Sequence, residues 1–126
     1  MPALGLFALL GCGQPTVDVV VPLAIVAVSP HDGSTGIDLA AVPTVCFSQD
    51  MDATKAEGSL LLETESGVAV SGQSVKAAGS VRCLSIAHDA LTADTNYVVH
   101  AKVGLKASDD SEFKADVLSH FHTAPQ

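Results

Sequence analysis

Three histidines stand out as residues whose type and spacing could do chemistry. His120 and His122 flank Phe121 in "VLSHFHT" (117–123), and His100 lies in "NYVVHAKVGL" (96–105). Alternate residues of a strand share one face, so His120 and His122 project away from a core that holds Phe121. His100 projects outward from the preceding strand candidate by the same reasoning. If these two strands pair in a suitable register, three imidazoles meet on one exposed face. Such a face could take Zn²⁺ or Cu²⁺. The other outcome is three solvated surface histidines, and register decides between them. No carboxylate on those two segments clearly joins the set. The loop "SDDSE" (108–112) gathers Asp109, Asp110 and Glu112, but it lacks the spacing of an EF-hand loop and reads as a solvated acidic turn. Asp50 and Asp52, around Met51, read as turn and cap chemistry, with Asp52 placed to cap a single helical turn.

No nucleophile elbow, zinc-protease helix, P-loop or Gly-rich dinucleotide fingerprint occurs in the sequence. The reading is therefore non-enzymatic and calls for no cofactor. The chain carries six basic and fourteen acidic side chains, a net charge of −8, and the basic ones are scattered. Nucleic-acid binding needs a concentrated positive footprint and is excluded as a role. Binding driven by anionic lipid headgroups is disfavoured for the same reason.

The elements that must position these residues are strands. The 126 residues are 48% hydrophobic, with much Val and Ala, no Trp, one Tyr and four Phe. Seven short β-type runs follow one another at 24–30, 43–48, 60–65, 68–78, 81–87, 96–105 and 117–123. Turn-rich stretches separate them, including the loop "HDGSTGIDL" at 31–39. Val45 and Phe47 alternate with Thr44 and Cys46, and Leu84 and Ile86 alternate with Cys83 and Ser85. No segment sustains a helical period. The expectation is an all-β antiparallel β-sandwich of about seven strands, Ig-like in pattern.

The N-terminus reads differently. Residues 3–10 form a short apolar run, far below the roughly 20 residues a membrane-spanning helix needs. The stretch Leu9-Leu10-Gly11-Cys12 resembles the lipobox of bacterial lipoproteins. That resemblance implies a signal peptide at 1–11, a lipid-bearing Cys12, a tether at 12–22 and a folded domain at 23–124. More than one acyl chain would make the anchoring stable, each buried CH₂ contributing about 0.8 kcal/mol. The alternative is a disordered or partly buried N-terminal tail.

From residue 24 onward a second resemblance covers most of the chain. Ser29-Pro30, Asp32-Gly33-Ser34, Gly36-Ile37, Phe47-Ser48, Met51-Asp52, Leu84, Ile86, Leu91, Asp94-Thr95-Asn96-Tyr97, Gly104-Leu105 and Phe121-His122-Thr123 follow the order of bacterial Ig-like domains of the surface-layer type (SbsA Ig-like). The resemblance implies an envelope or cell-surface protein acting as a spacer, an adhesive unit or an accessory module. Its partners would be the membrane, through the lipid, and a protein of the envelope. The runner-up is a ligand-binding module for a metal or a carbohydrate, on an exposed sheet face or loop end. With Cys12 carrying lipid, Cys46 and Cys83 remain, where the family usually has Thr or Ser. In an Ig-like sandwich they fall on strands B and E, side by side in one sheet. The resemblance thus implies a cross-strand Cys46–Cys83 disulfide worth roughly 3 to 4 kcal/mol. Two unpaired thiols, offset in register, are the alternative.

Overall fold

The computed structural model describes residues 22–126. Its elements are β1 (Ile25–Ser29), β2 (Ser34–Ile37), β3 (Thr44–Phe47), α1 (Ala53–Ala56), β4 (Leu60–Thr64), β5 (Ser74–Ala77), β6 (Cys83–Ala87), β7 (Asn96–Ala101) and β8 (Val117–Thr123). They form two four-stranded sheets, ordered β1-β3-β6-β5 and β2-β8-β7-β4. This is the Ig-like sandwich expected, with eight strands.

The additional strand is β2, which lies inside the stretch read above as loop. It runs parallel to β8, with Ser34 opposite Phe121 and Ile37 opposite Thr123, and its register shifts between the two pairs. Two expected runs are also shorter than their apolar content suggested. Only Ser74–Ala77 of 68–78 forms a strand, and Ala69 meets Glu63 in an isolated bridge. β7 stops at Ala101, and the chain then makes an excursion in which Lys106 bridges Glu112.

The core sits where the two inner faces meet. Val45 and Phe47 of β3 and Leu84 and Ile86 of β6 are buried against Leu60 and Leu62 of β4, Tyr97 and Val99 of β7 and Phe121 of β8. Each fully buried side chain of this size contributes about 1.5–3 kcal/mol of transfer free energy. Two aromatic pairs fill the core, with ring centroids 6.0 Å apart for Phe47 of β3 and Phe113 of the excursion, and 5.8 Å for Tyr97 and Phe121, which face each other across β7 and β8. The buried Tyr97 hydroxyl accepts the Thr92 N–H at 2.8 Å, so burying the ring strands no polar atom. Asp52 caps α1 as expected, its carboxylate accepting the Thr54 N–H at 2.9 Å.

Side chains cap backbone groups on two of the four sheet edges, β4 and β5. On β4, the Gln73 amide accepts the Leu62 N–H at 2.9 Å and donates to the Leu62 carbonyl at 2.5 Å. The amide thus extends the backbone pairing of the 68–70 segment, whose Val70 N–H also donates to the Leu62 carbonyl at 3.0 Å. On β5, Glu57 accepts the outward Val75 N–H at 3.0 Å. Capping exposed backbone groups in this way blunts edge-to-edge association.

Candidate functional site

Two clusters assemble the residues singled out in the sequence. The first is the pair Cys46 and Cys83, directly opposite each other on β3 and β6 and joined as a disulfide with Cα atoms 4.0 Å apart. The Phe47 N–H donates to the Arg82 carbonyl at 2.7 Å, which makes 47/82 a hydrogen-bonded pair. The adjacent 46/83 pair is therefore of the non-hydrogen-bonded type, where facing side chains approach most closely. Both cysteines are half-buried and alternate with the inward Val45, Phe47, Leu84 and Ile86. The bond lies on the outer face of its sheet and takes no part in the core.

The second cluster is the outer face of the other sheet, where register keeps the three histidines apart. His122 stands opposite Asn96, His120 opposite Val98 and His100 opposite Leu118. His100 and His122 thus lie at opposite ends of the ladder, with His120 between them on the diagonal. Each imidazole has its own carboxylate. His122 meets Asp94 at 2.7 Å through Nε2 and the Asn96 amide oxygen at 2.6 Å through Nδ1. His120 lies 3.5 Å from Asp32, which also accepts the His120 backbone N–H at 2.8 Å. That backbone bond, more than the imidazole, holds the Asp32 carboxyl below its usual range.

His100 is the most enclosed of the three, its side chain only 15% exposed. Nδ1 faces Glu63 of β4 at 2.8 Å and Nε2 faces Asp116 at 2.8 Å. Asp116 also accepts the Val103 N–H at 2.8 Å, so the imidazole fastens β4, β7 and the chain entering β8 together. Burial disfavours the charged ring, but hydrogen bonds to Asp116 and Glu63 outweigh it and raise the His100 pKa above the ordinary value. Asp116 is held below its usual range by the Val103 N–H first and by His100 second. The two carboxylates occupy opposite nitrogens of one ring, so they and the imidazole do not converge on a single ion. Among the described residues, no group of three or more His, Cys, Asp or Glu side chains is placed to hold a metal.

Sequence reasoning missed the two acids that complete this clamp. Glu63 was accessible in principle, since "LLLETE" alternates and places Glu63 outward. Asp116 carried no signal, because its contact with His100 depends on how the 102–116 excursion returns to the sheet. Cys12 lies outside the described residues.

Two stacked sheets and a core of apolar side chains between them define an Ig-like β-sandwich. The chain belongs to the bacterial Ig-like domain family, whose model matches residues 19–123. No curated protein matches it in sequence. Among solved structures it is similar to CopC from Methylosinus trichosporium OB3b, at 17% identity and a TM-score of 0.66, covering 82% of this chain and 95% of that one. It also resembles the surface layer protein SbsC, domains 1–6, at 18% identity and a TM-score of 0.61, covering 85% of this chain and 14% of SbsC. A third likeness is to Escherichia coli alpha-2-macroglobulin spanning domains MG0-NIE-MG1, at 18% identity and a TM-score of 0.61, covering 83% and 33%. The chain thus spans nearly all of the CopC chain but a third or less of the other two. At these identities the likeness is one of fold.

Proposed function

We propose that this chain is a non-enzymatic Ig-like module of the bacterial cell envelope, anchored by lipid at Cys12, with a structural, spacer or adhesive role. The observation that carries the reading is the Cys46–Cys83 bond on the outer face of its sheet. Disulfides persist in oxidising compartments, and an outward bond serves stability there without enlarging a small core. The lipobox-like Leu9-Leu10-Gly11-Cys12 supports the means of export and attachment, and the fold likeness to a surface layer protein supports the setting.

The ligand-binding alternative has less support. The three outward histidines face separate carboxylates, and the four aromatic rings among the described residues are all buried, leaving no platform for a sugar.

Intact mass of the full chain recovered from bacterial membranes tests the proposal, measured before and after reduction and alkylation. The expected chain begins at Cys12, carries added acyl mass, and gains two alkyl groups only after reduction. An uncleaved chain without acyl mass would remove the anchoring, and alkylation before reduction would remove the argument for export.

A further inference from the structure

The sandwich is polarised along its strands. At one end lie the start of β1, the loop after β3, the turn before β6 and the 102–116 excursion; here the described chain begins. The Ser48 hydroxyl fixes that beginning by accepting the Ala24 N–H at 2.9 Å and donating to the Pro22 carbonyl at 3.2 Å. Of seven exposed large hydrophobic side chains, five gather towards this end: Val26, Val81, Val103, Val117 and Leu118. Leu23, Ile25, Phe113, Lys114 and Val117 line a shallow groove at this end.

Charge divides the same way. Five of the six Lys and Arg residues (Lys55, Arg82, Lys102, Lys106 and Lys114) belong to this entry end, and the sixth is Lys76 on β5. This end also carries seven acids, of which Asp110 pairs with Lys55 at 2.9 Å, Asp50 with Arg82 at 3.2 Å and Glu112 with Lys106 at 3.8 Å, while Asp52, Glu57, Asp109 and Asp116 leave it slightly net negative and Lys114 makes no salt bridge among the described residues. The opposite end carries Asp38, Glu65, Asp89 and Asp94 without a Lys or Arg, and Asp32 lies beside the middle of β8. With no base at the far end and five bases set against seven acids at the entry end, an anionic bilayer surface repels the far end more strongly.

We infer that the entry end docks on the lipid bilayer surface, Val103, Val117 and Leu118 settling at the headgroup level with Lys114 extended beside them. This rests on the anchoring reading, since ten residues from Cys12 to Pro22 reach at most about 36 Å and keep this end near the headgroups. Long basic side chains reach polar headgroups while their stems cover apolar surface. The far end then faces outward and is the end available to a partner.

The test uses the acylated full chain in phosphatidylcholine nanodiscs doped with a headgroup spin label, read by amide NMR. Intact mass is taken first, so that an unacylated chain counts against the anchoring alone. For the acylated chain, loss of peak intensity is expected at Val81, Val103, Lys114 and Val117, with Thr35 and Asp94 retained. The double change Val103→Asp and Val117→Asp lies at exposed positions and should restore the entry-end peaks. Uniform loss, no loss, loss at the far end, or an unchanged pattern in the double variant would each overturn the docking while leaving the anchor intact.

Discussion

Replacing both cysteines of the disulfide, Cys46→Ser with Cys83→Ser, isolates how much of the fold's stability comes from a cross-link and how much from the core. The bond closes a sequence separation of 37 residues. In the chain-entropy model, a closed loop of that length removes from the unfolded state freedom worth about 4 kcal/mol at 25 °C. The lost transfer free energy is smaller, about 1 kcal/mol or less, because both side chains are only half-buried on an outer face. A loss near 4 kcal/mol is a large share of the roughly 5–15 kcal/mol that holds a domain of this size together. It should lower Tm by roughly 15–30 °C. Urea and thermal unfolding of the wild-type chain, its reduced form and the double variant make the comparison, and the last two should coincide. A loss below about 1 kcal/mol would refute the reasoning, and so would a reduced chain as stable as the oxidised one.

The Glu63–His100–Asp116 clamp predicts a pH dependence with a definite sign. The raised His100 pKa means that the folded chain holds this proton more tightly than the unfolded one. Its contribution is therefore complete below the ordinary histidine value of about 6.5 and fades as pH rises through the folded value. Asp116, whose pKa is lowered, contributes in the opposite direction, and its share fades as pH falls through its folded value. Urea unfolding between pH 5 and 9 should show stability falling on the alkaline side, and His100→Gln should flatten that fall. A variant profile parallel to wild type would contradict the assignment. At the β4 edge, Gln73→Leu keeps the bulk but removes the amide that serves Leu62. The expected cost is about 1–3 kcal/mol, with concentration-dependent self-association on size exclusion. A monomer with an unchanged unfolding midpoint would show that the edge does not depend on Gln73.

Much of this protein is determined by a local period of two. Alternation alone places Val45, Phe47, Leu84 and Ile86 inward and Cys46 and Cys83 outward, because successive side chains of a strand must point to opposite faces whatever the partner. The Asp52 cap is legible for a similar reason: its side chain bonds to backbone two residues away. Tertiary structure decided everything that depends on register. β2 has no apolar run and exists as a strand because β8 lies beside it. Which outward side chains meet across a ladder is a property of two strands at once. A slide by two residues would preserve the face of every histidine and change each of its neighbours. The pairing that places His122 beside Asn96 and His100 beside Leu118 therefore separates imidazoles that the alternation put on one face. His100 finds its acids on β4 and in the returning excursion, 37 and 16 residues away in sequence. The amino-acid pattern states which way a side chain points, and only the packed sheets state what it meets.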